Sequence, residues 1–505
     1  MAMSSKASSS PSGVRSELAH VRILKFAGIV AAGLALAVGL ASCKKVLNNN
    51  DEDTMHTRMV NLIEDSPTVQ YKIEDTVVAS ATYQTLSAFN SARTGSHTIS
   101  FGAIRPASLV SGDTTDPIAL GGTFTQNYAK DTDYTIFAYG TLADVKTTMI
   151  EVPSKQDDLK DDFIEIAFVD AAPNVGSIDV LITAPEGNVT TPESQGTLTL
   201  GGKTSTRSMQ LFRRADVTDT TASLFTDLTI EVRDSATGAT LLQSAKIRVT
   251  EQTRVLFAVT KNLGPGPSPV QLVGIDGVTG TYTDPNDQAQ VRLVHVSPDT
   301  PALNIIRASA LQTPIASNIA FGARSDYVSV ANGDVDLIAQ PADASTSVLL
   351  FLEEFTAAPG LSYSAYAIGP LASVDAQMVA DDRRKVPTQA KFRFLNAAPS
   401  QSGADGLDIY VTLPGQALDF DSTDDKDTTD DAPQFLRGGA VLYKALTDST
   451  IYKGGTYQVR IMAAGTSRIV LDTTITLTEG AVQTYVIDDD LTTGSLEMFP
   501  VDEAI

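Results

Sequence analysis

The chain aligns with itself, and this constrains its fold more than any motif does. Arg58–Pro67 (RMVNLIEDSP) and Arg292–Pro301 (RLVHVSPDTP) match without a gap, with Arg, Val, Asp and Pro in step. Two further copies fit the same frame: Phe168–Pro173 (FVDAAP), followed by Ile178–Val180 (IDV), and Phe394–Pro399 (FLNAAP), followed by Leu407–Val411 (LDIYV). The starts near residues 58, 167, 292 and 393 lie too far apart for a stacked solenoid, whose period is roughly 20–50 residues. The spacing suits a whole β-sandwich domain of about 100 residues.

Each copy opens with a β-branched, apolar run, breaks at proline and resumes with alternation of period two, the pattern of strand, turn and strand. Glycine turns precede further alternating runs at Arg93-Thr94-Gly95-Ser96, Asn332-Gly333 and Gly454-Gly455, and read as hairpins. A strand rich in Tyr or Phe closes each copy, at 134–140, 255–259, 363–369 and 485–488. No window after residue 42 carries helical periodicity. The expected fold is all-β: four tandem immunoglobulin-like antiparallel β-sandwich domains, at 55–155, 160–275, 287–385 and 388–505. Polar stretches at 151–162, 276–289 and 380–388 read as the joins, and Gly264–Pro269 (GPGPSP) as a stiff loop inside the second copy.

The third copy resembles the bacterial domain-of-unknown-function 4397 family, which opens with such a strand ending in Ser-Pro-Asp, here Ser297-Pro298-Asp299, and continues through F-G-x-x-S-x-Y, here Phe321–Tyr327. Residues 290–370 carry the resemblance and the fourth copy carries part of it. The first two copies lack the triplet and join through internal similarity. The resemblance implies secreted or lipid-anchored envelope proteins built from sandwich modules, with no established chemistry.

Cys43 is the only cysteine in 505 residues. It follows Leu40-Ala41-Ser42 at the end of an apolar run, Phe26–Leu40, which is preceded by Lys6, Arg15, Arg22 and Lys25. The run falls short of the roughly 20 residues of a membrane helix, and its basic flank and small-residue end are those of a secretory signal. This stretch resembles a bacterial lipoprotein signal over 1–42, in which Cys43 carries acyl chains and 43–54 is a flexible tether. Cleavage there takes the net charge from -23 to about -26, since four cationic side chains and Glu17 are lost. The spread of that acidic charge, without Lys or Arg clusters, argues against a nucleic-acid partner. No cysteine is left for a disulfide, so the fold depends on buried apolar surface.

Candidate site residues have plain alternatives. Asp65 and Asp299 recur at one place in two copies and read as turn-capping groups or as binding tips. His295, with His56 and His97, lacks the closely spaced partners of a zinc site and reads as a hydrogen-bonded strand residue. Asp421–Asp431 (DSTDDKDTTDD) is oxygen-rich but lacks the tight glycine turn and bidentate acid of a calcium loop, and reads as a solvated insertion. There is no Gly-x-Ser-x-Gly elbow, phosphate-binding loop or Ser-x-x-Lys, and the lack of tryptophan weakens sugar stacking.

These readings lead to a non-enzymatic, lipid-anchored envelope protein, held by the membrane through its lipid and without a cofactor. It is expected at the outer membrane as a spacer or adhesion-like array meeting an envelope or extracellular protein or glycan. The alternatives are an accessory lipoprotein binding a ligand or polysaccharide at the tips of the third and fourth domains, and a hydrolase using two carboxylates remote in sequence.

Overall fold

The structure, a computed structural model, describes residues 53–503 apart from 107–108, 110–115, 155–158, 213–222, 308–313, 344–349, 352–354, 403–404 and 419–435. Cys43 and the Asp421–Asp431 insertion lie outside the described residues. No helix among the described residues is long and apolar enough to cross a membrane.

The chain forms four β-sandwiches, and the same strand order occurs in each. One sheet holds the opening strand (Thr54–Ile63, Phe163–Ala171, Ala289–Val296 or Ala390–Asn396) beside a late return strand (Thr132–Thr141, Thr253–Lys261, Ser362–Ile368 or Val482–Asp490). The strand that follows extends this sheet: Asp144–Pro153, Val270–Asp276, Asp375–Ala380 and Ser495–Asp502 respectively. In the first sandwich the facing sheet runs in the order Thr76–Ala81, Val69–Ile73, Gly95–Ala103, Ile118–Tyr128, and the other three sandwiches repeat this plan. Each sandwich has its own apolar core, the first around Tyr71 and Ile136, the second around Phe168 and Phe257, the third around Leu293 and Ile305, the fourth around Phe392 and Ile461.

Three readings of the sequence are revised. The sandwiches are antiparallel except that opening and return strands pair in parallel, four times over. Period-two alternation is the same for both pairings, so the direction was not legible. The glycine turns at Gly95, Gly333 and Gly454 are not hairpins: Asn90–Arg93 pairs with the opening strand, whereas Gly95–Ala103 pairs in the facing sheet. Val328–Val330 and Leu337–Pro341, and likewise Thr450–Tyr452 and Gly455–Ala463, are divided between sheets in the same way. The join expected from Glu151 begins later, because Glu151 is still paired with Tyr134 in the strand ending at Pro153.

The opening strands read as continuous apolar runs because both of their faces are covered. Met59 and Ile63 point into the first core, while Val60 and Leu62 point outward into a second apolar cluster with Phe137, Tyr139, Val169 and Leu256, which joins the first sandwich to the second. Val294, Val296, Tyr366 and Ile368 meet Leu395, Val486 and Val501 in the same manner and join the third to the fourth. At the first junction Tyr139 lies over Gly201, where φ is +80° and an added Cβ would come within 2.4 Å of the tyrosine oxygen. Only glycine suits that backbone conformation and that approach.

Contacts also run between the pairs. Arg384, between the third and fourth sandwiches, donates through Nη1 to the carbonyl of Ser66 at 2.7 Å and lies 4.6 Å from the ring centroid of Tyr83, both in the first sandwich. Leu109 of the first sandwich packs against the core of the fourth. The described residues between 53 and 503 thus belong to a single compact unit.

Each large aliphatic side chain withdrawn from water contributes about 1.5–3 kcal/mol, so separating a pair should be costly. Two-sandwich pieces covering 53–282 and 284–503 are expected to melt in single transitions by calorimetry. The 287–385 piece alone should melt at lower temperature and bind a hydrophobic dye through its uncovered Val294–Ile368 face; equal melting temperatures would show that the junction contributes nothing.

Candidate ligand crevice between the first two sandwiches

The parallel strand pair sets up two recurring polar features. The first is a rung in which an opening-strand arginine donates to the hydroxyl directly across the pair. Arg58 Nε reaches Thr135 Oγ1 at 2.9 Å, Arg292 Nε reaches Ser364 Oγ at 2.7 Å, and Arg393 Nε reaches Thr484 Oγ1 at 3.0 Å. Each guanidinium then crosses to the partner sandwich. Arg58 Nη2 donates to Asp276 Oδ2 at 2.8 Å, Arg292 Nη1 to the Asp502 carbonyl at 2.7 Å, and Arg393 Nη2 to the Ala380 carbonyl at 3.2 Å. The second sandwich has Ala167 at this position, opposite Leu256.

At the junction of the third and fourth sandwiches the arginines enter a dense buried network. Arg393 pairs with Glu503 at 2.9 Å and with Asp381 at 3.5 Å, while Tyr327 and Ser364 each donate to Asp381 Oδ2 at 2.7 Å. Burial pushes the carboxyls of Asp381 and Glu503 up, and the arginines act against that shift. Buried polar networks of this kind favour one arrangement of the groups that make them, although Arg292 Nη2 and Asp381 Oδ1 are buried here without a hydrogen-bond partner.

The corresponding junction of the first and second sandwiches is open. A crevice of about 150 Å³ lies there, with walls that include Ile150, Val152, Ala167 and Leu256. Arg58, Arg254, Glu151, Glu165 and Asp276 also line it. Arg58 is paired with Asp276, and Arg254 Nε donates to Glu165 Oε2 at 2.9 Å. Among the described residues Glu151 has no ion-pair partner. None of these five was named as a site residue from the sequence, since the crevice exists only where two sandwiches meet; the one available sign was arginine at the matching place in the first, third and fourth copies and alanine in the second.

Asp65, Asp299 and His295 lie apart from this crevice and hydrogen-bond the backbone of their own sandwiches. Asp65 Oδ1 accepts from the Leu142 amide at 2.7 Å, and Asp299 Oδ1 accepts from the Leu371 amide at 2.7 Å. In both sandwiches the aspartate ties the opening turn to the chain just past the return strand. His295 lies inside the third sandwich, wholly buried, and not on a tip. Its Nδ1 accepts from the Ser297 amide at 3.2 Å and its Nε2 donates to the Pro301 carbonyl at 3.1 Å. Burial lowers its pKa, so the ring stays neutral. His56 bonds Asp133 and His97 bonds the Arg93 carbonyl. Among the described residues no group of three His, Cys, Asp or Glu is placed to hold a metal ion.

His295 belongs to the second recurring feature. Asn61, Asp170, His295 and Asn396 occupy one position, all fully buried, and each accepts from the amide two residues on: Ile63, Ala172, Ser297 and Ala398. Asn61 and Asn396 also donate, to the carbonyls of Ala81 and Val441. An ionised aspartate has nothing to donate, and Asp170 Oδ2 is buried without a partner.

Residues 55–181 and 289–410 match the sequence model of a domain of unknown function, DUF4397. The chain carries tandem DUF4397 modules. Each match runs through one sandwich and into the opening strands of the next, so it takes in the outward-facing strands of both members of a pair. The first module is matched even though it lacks the Ser-Pro-Asp triplet of the third sandwich. Among curated proteins, none matches the sequence. Solved structures with some likeness include a fimbrial assembly protein from Parabacteroides distasonis, 10% identical with a TM-score of 0.17, covering 44% of this chain and 98% of its own. Another is a putative cell adhesion protein from Bacteroides ovatus, 9% identical with a TM-score of 0.17, covering 43% of this chain and 95% of its own. A putative adhesin from Bacteroides ovatus is 12% identical with a TM-score of 0.14, covering 46% and 95%. Superpositions this poor assign neither fold nor role.

The shared buried position generates two predictions. His295→Asn supplies the side chain used by the first and fourth sandwiches and should melt within a few degrees of the parent, whereas His295→Leu leaves the buried Ser297 amide without this partner, at about 1–3 kcal/mol. Asp170 titrates at about 6 in the fold against an ordinary 3.8, because burial penalises its charge. Folded-state protonation is therefore favoured, and the stability it contributes is present below pH 3.8 and lost as pH rises through 6. Asp170→Asn should raise the melting temperature at pH 7.5 and lessen its fall between about pH 4 and 7, part of which remains because burial also pushes Asp488 up, to about 8; calorimetry across that range measures both.

Proposed function

We propose that the chain is a lipid-anchored envelope protein whose sandwiches form a stiff, non-enzymatic block that presents interaction surfaces. The observation that carries this reading is the covered outer face of each opening strand. Two sandwiches that share a buried apolar seam and a crossing arginine are fixed in mutual orientation, as a platform for presenting surfaces requires. Arg384 and Leu109 link the two pairs, so we favour a compact block over an extended spacer. Cys43, at the end of its signal-like run, supplies the tether, and the outer membrane is the proposed site. The partner is an envelope or extracellular protein or glycan.

A second reading, an accessory lipoprotein that binds a ligand, draws support from the crevice. It moves the proposed site from the tips of the third and fourth sandwiches, where the sequence suggested it, to the junction of the first and second.

Cys43→Ser should abolish labelling by a fatty-acid probe and shift the protein from the membrane to the soluble fraction, because no other thiol is present to accept the lipid. Equal labelling of parent and variant would overturn the anchor. If lipidation holds, antibodies or protease applied to intact cells test whether the block is displayed at the surface.

A further inference from the structure

The two junctions are built on one plan, and the ion pair of one is missing from the other. Arg393 stands in the opening strand of the fourth sandwich, opposite Thr484, and its guanidinium fills the seam with the third. The matching residue of the second sandwich is Ala167, opposite Leu256, and the crevice lies beside it. Val152 takes the place of Asp381, as the pairings of Glu151 with Tyr134 and Ala380 with Tyr363 show. Where one seam holds an arginine side chain, the other therefore has an alanine with a crevice beside it.

We infer that this crevice binds one guanidinium group carried on a short aliphatic stem. The apolar wall of Ala167, Val152 and Leu256 suits the stem. Acceptors for the head are at hand, because Glu165 and Asp276 each engage an arginine with oxygen lone pairs to spare. Three carboxylates against two arginines leave the lining one negative charge in excess, which a single cation balances. Planar, multidentate donors match such carboxylates better than an ammonium does. The ligand is either a free alkylguanidinium or the arginine side chain of a peptide.

The test uses the soluble residues 44–505, which lack the proposed lipid-bearing Cys43, titrated calorimetrically with n-propylguanidinium, with its neutral isostere n-propylurea, and with acetyl-Gly-Arg-Gly-amide. Saturable binding of the guanidinium or of the peptide, with no binding of the urea, is the expected result, and which of the two binds more tightly identifies the source. Glu165→Gln and Asp276→Asn should each weaken binding about tenfold or more, the loss of a charge-assisted hydrogen bond. Ala167→Arg should abolish binding by filling the crevice with its own guanidinium, and should melt no lower than the parent. If that variant fails to fold, the two carboxylate variants decide. Equal response to the urea, no binding by either guanidinium compound, or unchanged affinity in both carboxylate variants would overturn the inference. None of these outcomes bears on lipidation at Cys43, so the proposal stands or falls apart from the anchor.

Discussion

The parallel pairing of opening and return strands is the contact on which the rest of the architecture depends. It places two adjacent strands in the middle of a sheet and covers them twice, by the sandwich core on one side and by a neighbouring sandwich on the other. Parallel strands are characteristically buried on both faces, and here the second cover is another copy of the same domain. Without the neighbour, Val60 and Phe137, or Val294 and Tyr366, would face water as a contiguous apolar patch. The pair of sandwiches, more than the single sandwich, is therefore the unit that satisfies its own surface.

Polar groups on those strands are consistent with this. An arginine in the outward-facing row can be buried only if both sides of the junction supply acceptors, and Arg292 and Arg393 have them from the hydroxyl across the pair and from the partner sandwich. On the inward-facing row, Asn61, His295 and Asn396 hold the opening turn by accepting from one amide and donating to a carbonyl. Three chemically different side chains, those of Asn, His and Asp, thus occupy one structural position. What they share is an acceptor that reaches the backbone two residues ahead; the donor is the part that Asp170 lacks unless protonated.

The two junctions show how repeated copies acquire different roles from few changes. Between the third and fourth sandwiches, arginines, Asp381 and Glu503 close the seam with a buried ion-pair network. Between the first and second, Ala167 and Val152 withdraw both members of the corresponding ion pair, so no buried charge is orphaned, which would be costly. The seam holds through Leu62, Tyr139 and Leu256 while space remains beside them. A difference of this kind leaves a cavity in one seam where the other has a structural contact, while the apolar seam is kept in both.

Much of the fold was legible in the residues because its causes are local. Apolar runs broken at proline, period-two alternation and the recurrence of Arg58–Pro67 at Arg292–Pro301 specify strands, turns and four copies of one domain, since each depends on neighbours only a few residues away. The doubling of apolar character in the opening strands was visible too, although not its meaning. Strand direction, the crossing of Gly95, Gly333 and Gly454 between sheets, and the crevice were decided by tertiary structure alone. A glycine turn looks the same whether its strands pair or part, and a site assembled from Arg58, Glu165, Arg254 and Asp276 has no sequence spacing to betray it. His295 shows the same limit at a single residue: alternation placed it in a strand, while only the packed sandwich made it a buried neutral partner of its own turn.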